Sequence, residues 1–409
     1  MPHSKASIMK NSTLNDMKGT DLPLNGIRIV DFSWIIAGPT ATRHLAIMGA
    51  EVIKVGSSRR PDPSLAGPPF EVYNQSKKYC QLNLSKLESI EIAAHLVSTA
   101  DVVIENFAAG VFERMGYGYD VMKIWKPDIV MISSAGTGHS GPDKDFVAYG
   151  SLLQHYTGWN TISGSPTNKD EPIKGGLWAD PWVGMELAMI TMAALNHRMA
   201  TGDGKHIDYS MAESLTASIS PSLLEYQVSG ELPKPIGNSA TNEYPHGLYP
   251  CYGEDKWIAI RIDGKENWRE LCRIIGANKF LGNPDLDFVE NRKAISPSID
   301  EAISNWTKTH DDYSVMTQLQ NQGIEALPSL DISRVYDDPY LRDSGYLVTH
   351  VKEDREVELP SVPWAFELQD SMQLTPAPKL GAANSQIYEQ LLGTDPQTIN
   401  SLIEQNIIY

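Results

Sequence analysis

The stretch KGGLWADPWVG, Lys174–Gly184, brings one carboxylate, Asp180, to the start of a long apolar run, with two glycines just before it. Two kinds of chemistry are open to such a residue. Asp followed by Pro is what a helix start looks like, with Asp180 as N-cap and Pro181 at the first helical position. A carboxylate can also be a nucleophile that carries an acyl group covalently. Locally the helix-start reading is the simpler one. The other residue types that do chemistry are sparse. Cys80, Cys251 and Cys272 are scattered, with neither metal spacing nor a disulfide framework, and no metal site is expected.

The elements around Asp180 follow from hydrophobic patterning. GIRIVDFS (26–33) is a β-branched run, AGPTATRHLAIMGA (37–50) a helical pattern and EVIKVG (51–56) the next run, which together make a βαβ unit. KYCQLNL, DVVIENF (101–107) and DIVMISSAG (128–136) repeat the strand pattern with helices between them. This alternation predicts a doubly wound α/β domain with a parallel sheet. The first turn reads AGP, without G-x-G-x-x-G, and no phosphate loop of the G-x-x-x-x-G-K type occurs, so NAD is not expected. The helix from Pro181 to about Met199 stops at ATGDGK, and HIDYSMAESL (206–215) runs from strand into helix. A second region begins near Pro233, where GLYPCYGEDKWIAIRI (247–262) predicts two strands around a turn. Strand-like segments return after it, and the end of the chain is helical.

The chain has 409 residues with 51 acidic and 34 basic side chains, a formal charge of −17. That balance argues against nucleic acid or an anionic membrane as partner. Residues 1–24 lack the apolar core of a signal peptide, and no membrane span is expected, so a cytoplasmic protein with a flexible N-terminal tail is the expectation.

LNGIRIVDFSWIIAGPTATRHLAIMGAEVIKV, ADVVIENFAAGVFERMGYGYD, ADPWVGMELAMITMAALNHRMATGDGKHIDYSMAES, GIEALPSLDISRVYDDPYL and LLGTDPQTINSLI, in this order, resemble the class III CoA transferases. That group includes the formyl-CoA, carnitine and benzylsuccinate enzymes, and the 2-methylacyl-CoA racemases share its fold. The resemblance covers essentially everything after residue 24. It implies an interlaced homodimer whose protomer has a large Rossmann-like domain (25–225), a smaller inserted α+β domain (226–330) and a C-terminal segment (331–409) returning to the large domain. It implies CoA or acyl-CoA as substrate, a carboxylic acid as the second substrate, and no tightly bound cofactor.

The resemblance also assigns Asp180 as the nucleophile. A helix start favours its ionised form, nearby N–H groups can hold an oxyanion, and Gly175 and Gly176 allow close approach of a substrate. Ala37, Asn106, Phe107, Arg114 and Met211 match CoA-contacting positions. Trp34, Ile36 and Ser57 stand where formyl-CoA transferase has a histidine, a glutamine and an arginine, which disfavours oxalate or formate. The phosphate cation is then expected from Arg59, Arg60 or Lys54, and Lys86 is one residue from the family's lysine. The acceptor side is expected to involve Trp34, Trp178, Tyr149, His155 and, from the second domain, His246.

Two other readings remain. A racemase needs a His–Asp acid/base pair, but Lys144 stands in the histidine's place in KDFVAY, and His139 and His155 are out of register, expected as loop and helix-surface residues. A non-catalytic acyl-CoA-binding homologue would need Asp180 to be only a cap.

Overall fold

The computed structural model describes residues 22–166, 178–352, 355–364 and 374–409. They form two units, the first from 22–159, 178–223 and 346–409, the second from 160–166 and 224–345. The expected tail up to residue 21, and Gly175 and Gly176, lie outside the described residues. Leu24 belongs to the fold instead of the tail: its N–H donates to the Met48 carbonyl at 2.9 Å and its side chain is buried.

In the first unit the β-branched runs become strands β1 (Arg28–Asp31), β2 (Glu51–Gly56), β3 (Lys78–Gln81), β4 (Val102–Glu105), β5 (Val130–Ala135) and β6 (His206–Ser210). All six are parallel, in the order β3-β2-β1-β4-β5-β6. The near-continuous burial of β1, β2, β4 and β5 reflects cover on both faces, whereas the edge strand β6 is partly exposed. Ile29, Val52, Val102, Val130 and Ile132 pack on the face covered by α1 (Ala37–Ile47) and, after α2 (Gly150–Tyr156), by α3 (Ala179–Thr201). Val30, Ile53, Val103 and Met131 face the other layer, which includes Ser89–Ser98 and the C-terminal residues Ile387, Tyr388, Ile407 and Ile408. Strand order reverses between β1 and β4, and in open α/β sheets ligands bind above the strand ends at that point.

One glycine sets the height of α3 over α1. A Cβ at Gly184 would lie 2.5 Å from the Thr40 Cβ and 2.7 Å from the Ala37 carbonyl oxygen. Only glycine lets the two backbones come this close, and Asp180 sits one turn N-terminal to that contact.

The second unit is built on an antiparallel sheet of β7 (His246–Pro250), β8 (Trp257–Arg261) and β9 (Glu325–Ser329). Its strands alternate: Ile258 and Ile260 pack against Trp268, Leu271, Ile303 and Leu319, while Trp257 and Leu327 face outward. The chain re-enters the first unit at Tyr346, later than residue 331, with the hairpin β10 (Leu347–Lys352) and β11 (Arg355–Pro360). Buried Arg43 of α1 holds that return by donating to the Pro360 and Ser361 carbonyls at 2.7 and 2.9 Å. The C-terminus docks beside β3, where the Asn384 side chain accepts from the Gln81 N–H at 2.9 Å.

Candidate functional site

A cleft of about 240 Å³ opens at the carboxyl ends of β1, β4 and β5, beside the point where strand order reverses. The turn after β1 (Trp34, Ile35, Ile36, Ala37), the turn after β4 (Asn106, Phe107), the end of β5 (Ser134) and Tyr149, Asp180 and Met211 all line it. Trp34, Ala37, Asn106, Phe107, Tyr149, Asp180 and Met211 were named from sequence, and folding brings them to one cleft from five separate stretches of chain.

The first turn is held by buried polar groups. Asn106 accepts from the Trp34 N–H at 2.7 Å and donates to the Trp34 carbonyl at 3.0 Å. Ile35 adopts the left-handed region, φ 66°, unusual for a β-branched residue. Its N–H points at the Asp62 carboxylate, 3.3 Å from each oxygen. Asp62 in turn faces Lys54 at 3.6 Å, and the Lys54 ammonium donates to the Ser33 carbonyl at 2.7 Å. Lys54 is therefore buried and committed to this turn, which removes it from the expected phosphate cations. At the root of the turn, Asp31 is fully buried against Lys77 at 3.2 Å. Burial opposes its charge, but Lys77, Lys54 and the Ser33 and Thr42 hydroxyls outweigh that and hold the carboxyl low.

Asp180 does not cap its helix. The helix begins at Ala179 with Trp178 as the preceding residue, and no side chain caps it. Asp180 lies inside the first turn, with Pro181 after it. The carboxylate turns toward the start of α2 instead, against the backbone of Gly150, whose N–H favours its charged form. A Cβ at Gly150 would lie 2.4 Å from Asp180 Oδ1. Asp180 is 8% exposed, and burial pushes its carboxyl up to about 6, with the Gly150 N–H working in the lowering direction. A helix start favours the ionised form, but desolvation by the surrounding elements acts the other way and is the largest effect on this carboxyl.

The remaining candidates are more dispersed. The Arg60 guanidinium lines the cleft and stacks over the Trp34 ring at 5.2 Å, whereas Arg59 bonds to the Asn406 side chain at 2.6 Å and lies over Tyr409. Arg114 and Lys86 are exposed and outside the cleft wall. Trp178 packs on Trp159 at 4.4 Å between ring centroids, and His155 is exposed on α2. His246 belongs to the second unit, where Nδ1 lies 2.8 Å from the Asn238 carbonyl. It lines a groove of about 700 Å³ whose Arg261 is already neutralised by Glu243 and Glu325 at 2.6 and 2.7 Å. That groove is larger, but its lining holds no buried nucleophile, so the cleft with Asp180 is the candidate site.

His139 is more than a loop residue. Its ring bridges two carboxylates, Nδ1 3.0 Å from Asp208 and Nε2 3.5 Å from buried Glu105. Burial disfavours the charged ring, but Glu105 and Asp208 outweigh it and raise the imidazole to about 9. It is held as a cation at neutral pH. Gly150 and Ser134 are the site residues the sequence reading missed. Nothing local marks either one, since each matters only through a wall or a neighbour brought from elsewhere in the chain.

Residues 24–384 match the model of CoA-transferase family III. The succinate–glutarate CoA-transferase of Agrobacterium fabrum is 29% identical over 396 residues, covering 92% of this chain and 98% of the relative. The human succinyl-CoA:glutarate CoA-transferase is 25% identical, covering 97% and 91%. A CAIB/BAIF family protein from Brucella suis superposes with a TM-score of 0.82 at 26% identity, over 91% of this chain and all of that one. With a parallel six-stranded sheet, a cleft at its reversal point and a family match over most of its length, this chain belongs to CoA-transferase family III and is an enzyme of that class.

Proposed function

We propose that the enzyme moves CoA from an acyl-CoA to a carboxylic acid through covalent intermediates on Asp180. The observation that carries this is a buried carboxylate on the wall of the cleft, with its only described backbone donor at Gly150. Ionised Asp180 attacks the donor thioester carbonyl, and the tetrahedral adduct expels CoA thiolate to leave a mixed anhydride. The thiolate attacks the aspartyl carbonyl, which releases the donor acid and leaves an aspartyl-CoA thioester. The acceptor carboxylate attacks that thioester and frees the thiolate again. Attack of the thiolate on the acceptor's acyl carbonyl gives the new acyl-CoA and restores Asp180. The cleft suits a dry reaction, since a hydrolysed anhydride would waste the thioester.

Ala37, Asn106, Phe107 and Met211 are the CoA-side wall in this reading, with Arg60 the cation nearest the reacting end. Arg59, Arg114 and Lys86 remain candidates for the phosphates farther out. Trp34 and Tyr149 are candidates for the acid side, as are Trp178, His155 and His246. The relatives named for succinate, succinyl-CoA and glutarate support short dicarboxylic acids as the substrate class. A racemase needs a neutral base opposite Asp180. His139 is held protonated between two carboxylates, Lys144 is exposed, and neither lines the cleft.

The test is incubation with succinyl-CoA and labelled glutarate in heavy water, read by mass spectrometry. The expected result is glutaryl-CoA carrying the label, with no deuterium at Cα of a 2-methylacyl-CoA supplied in parallel. Fast α-proton exchange without carboxylate exchange defeats the assignment.

The interlaced homodimer is part of the same proposal. Trp182, Met185 and Met189 form an exposed apolar stripe on α3 at helical spacing, opposite the buried Val183, Leu187 and Leu195. Such a stripe on a soluble chain calls for a cover. Threaded chains cannot part without unfolding, so sedimentation should find only dimer down to nanomolar concentration. A folded monomer there overturns the threading.

A further inference from the structure

We propose that Ser134 is a substrate-contacting residue, its hydroxyl donating a hydrogen bond to the acyl oxygen on which charge develops when Asp180 attacks; the proposal rests on the covalent reading above. Ser134 is the fifth residue of β5 and lines the cleft. It is 1% exposed, yet its Oγ has no hydrogen-bond partner among the described residues. Buried hydroxyls nearly always find partners, because an unpaired one forfeits its hydration with nothing in return.

Strand alternation fixes which way it faces. Ile132 and Val130, two and four residues earlier, pack on the same layer as Ala179 and Val183 of α3, so Ser134 continues the face that carries Asp180. Its neighbour Ser133 points the other way and is satisfied, 3.0 Å from His206 Nε2. The adjoining backbone leads to the nucleophile: the Gly136 Cβ position is 3.4 Å from the Ala148 carbonyl oxygen, and Gly150, two residues on, touches Asp180.

Two other polar side chains of the wall already have partners. Asn106 is spent on the Trp34 backbone, and Arg60 stacks on the Trp34 ring. The polar atom of an acyl-CoA next to the carbon that Asp180 attacks is the thioester carbonyl oxygen. No bond to Ser134 forms and its proton stays on Oγ. The hydrogen bond strengthens as the carbonyl becomes an oxyanion, which is the condition for accelerating the step and not merely for binding.

The experiment uses the full-length enzyme with succinyl-CoA and glutarate. Ser134→Ala should lower kcat by about 10- to 100-fold, with KM for succinyl-CoA changed less than about threefold and Tm unchanged or higher, because an unpaired hydroxyl has been removed. Ser134→Cys, close in volume but a weak donor, should behave like the alanine variant. Wild-type kcat in both variants, with Asp180 still trapped covalently in the wild type, overturns the Ser134 contact and leaves the covalent reading standing. Loss of activity in step with a fall in Tm means a structural serine and also overturns it. If the wild type neither exchanges nor traps at Asp180, the covalent reading fails first and takes this inference with it.

Discussion

Asp180→Ala should abolish CoA exchange, by at least about a thousandfold in kcat, while the protein folds and binds CoA as before. The stability half of this expectation is the less obvious one. The folded state holds the Asp180 carboxyl at about 6 against an ordinary value of 3.8, because the group is buried. A raised carboxyl favours the folded state when protonated. Its favourable contribution is full below 3.8 and is lost as pH rises through about 6. Above that the buried charge costs up to about 3 kcal/mol. Removing it relieves that cost and leaves the Gly150 N–H without its acceptor, so Tm at pH 8 should be no lower than in the wild type. The same carboxyl must be ionised to attack, so wild-type kcat/KM should rise with pH through an acid limb near 6. An alanine variant that still exchanges CoA, or a limb near 4, removes Asp180 from this role.

The second large effect is expected at Gly150. A Cβ there would lie 2.4 Å from Asp180 Oδ1 and 2.8 Å from Cγ. These atoms end a short, rotatable side chain, so Gly150→Ala should be tolerated by the fold, with the carboxylate swinging aside. The position of an attacking oxygen is far less forgiving. A displacement of roughly 1 Å at a reacting group costs about a hundredfold in rate, so kcat should fall by about that factor while CoA affinity stays within a few fold. The measurement is steady-state kinetics beside CoA binding by calorimetry. Gly184→Ala offers the contrast: its Cβ would strike the Ala37 carbonyl at 2.7 Å and the Thr40 side chain, where helix backbones meet. Unaltered kcat in Gly150→Ala would mean that the carboxylate position seen against α2 is not the reacting one.

Much of this molecule was legible in the sequence because its physics is local. The central parallel strands are short apolar runs bounded by turns, a continuity imposed by burial on both faces, and that pattern is visible one window at a time. Ala37, Asn106, Phe107 and Met211 came from the family resemblance and not from local pattern, and folding brings all four to the cleft. Asp180 was legible as a candidate, but its state was not. Local composition pointed to a cap and a stabilised charge, whereas the chain starts the helix at Ala179 and aims the carboxylate at Gly150, thirty residues earlier in sequence. Desolvation by surrounding elements then raises its pKa, and no window around residue 180 contains those elements. Lys54 was read as an available charge and His139 as a plain loop residue, and each is held by partners distant in sequence: Asp62 and the Ser33 carbonyl for one, Glu105 and Asp208 for the other. Sequence determines which groups the chain owns and which faces they occupy. Tertiary packing decides which of them remain unpaired, dry and in reach of a ligand, because pairing and desolvation depend on neighbours that only folding supplies.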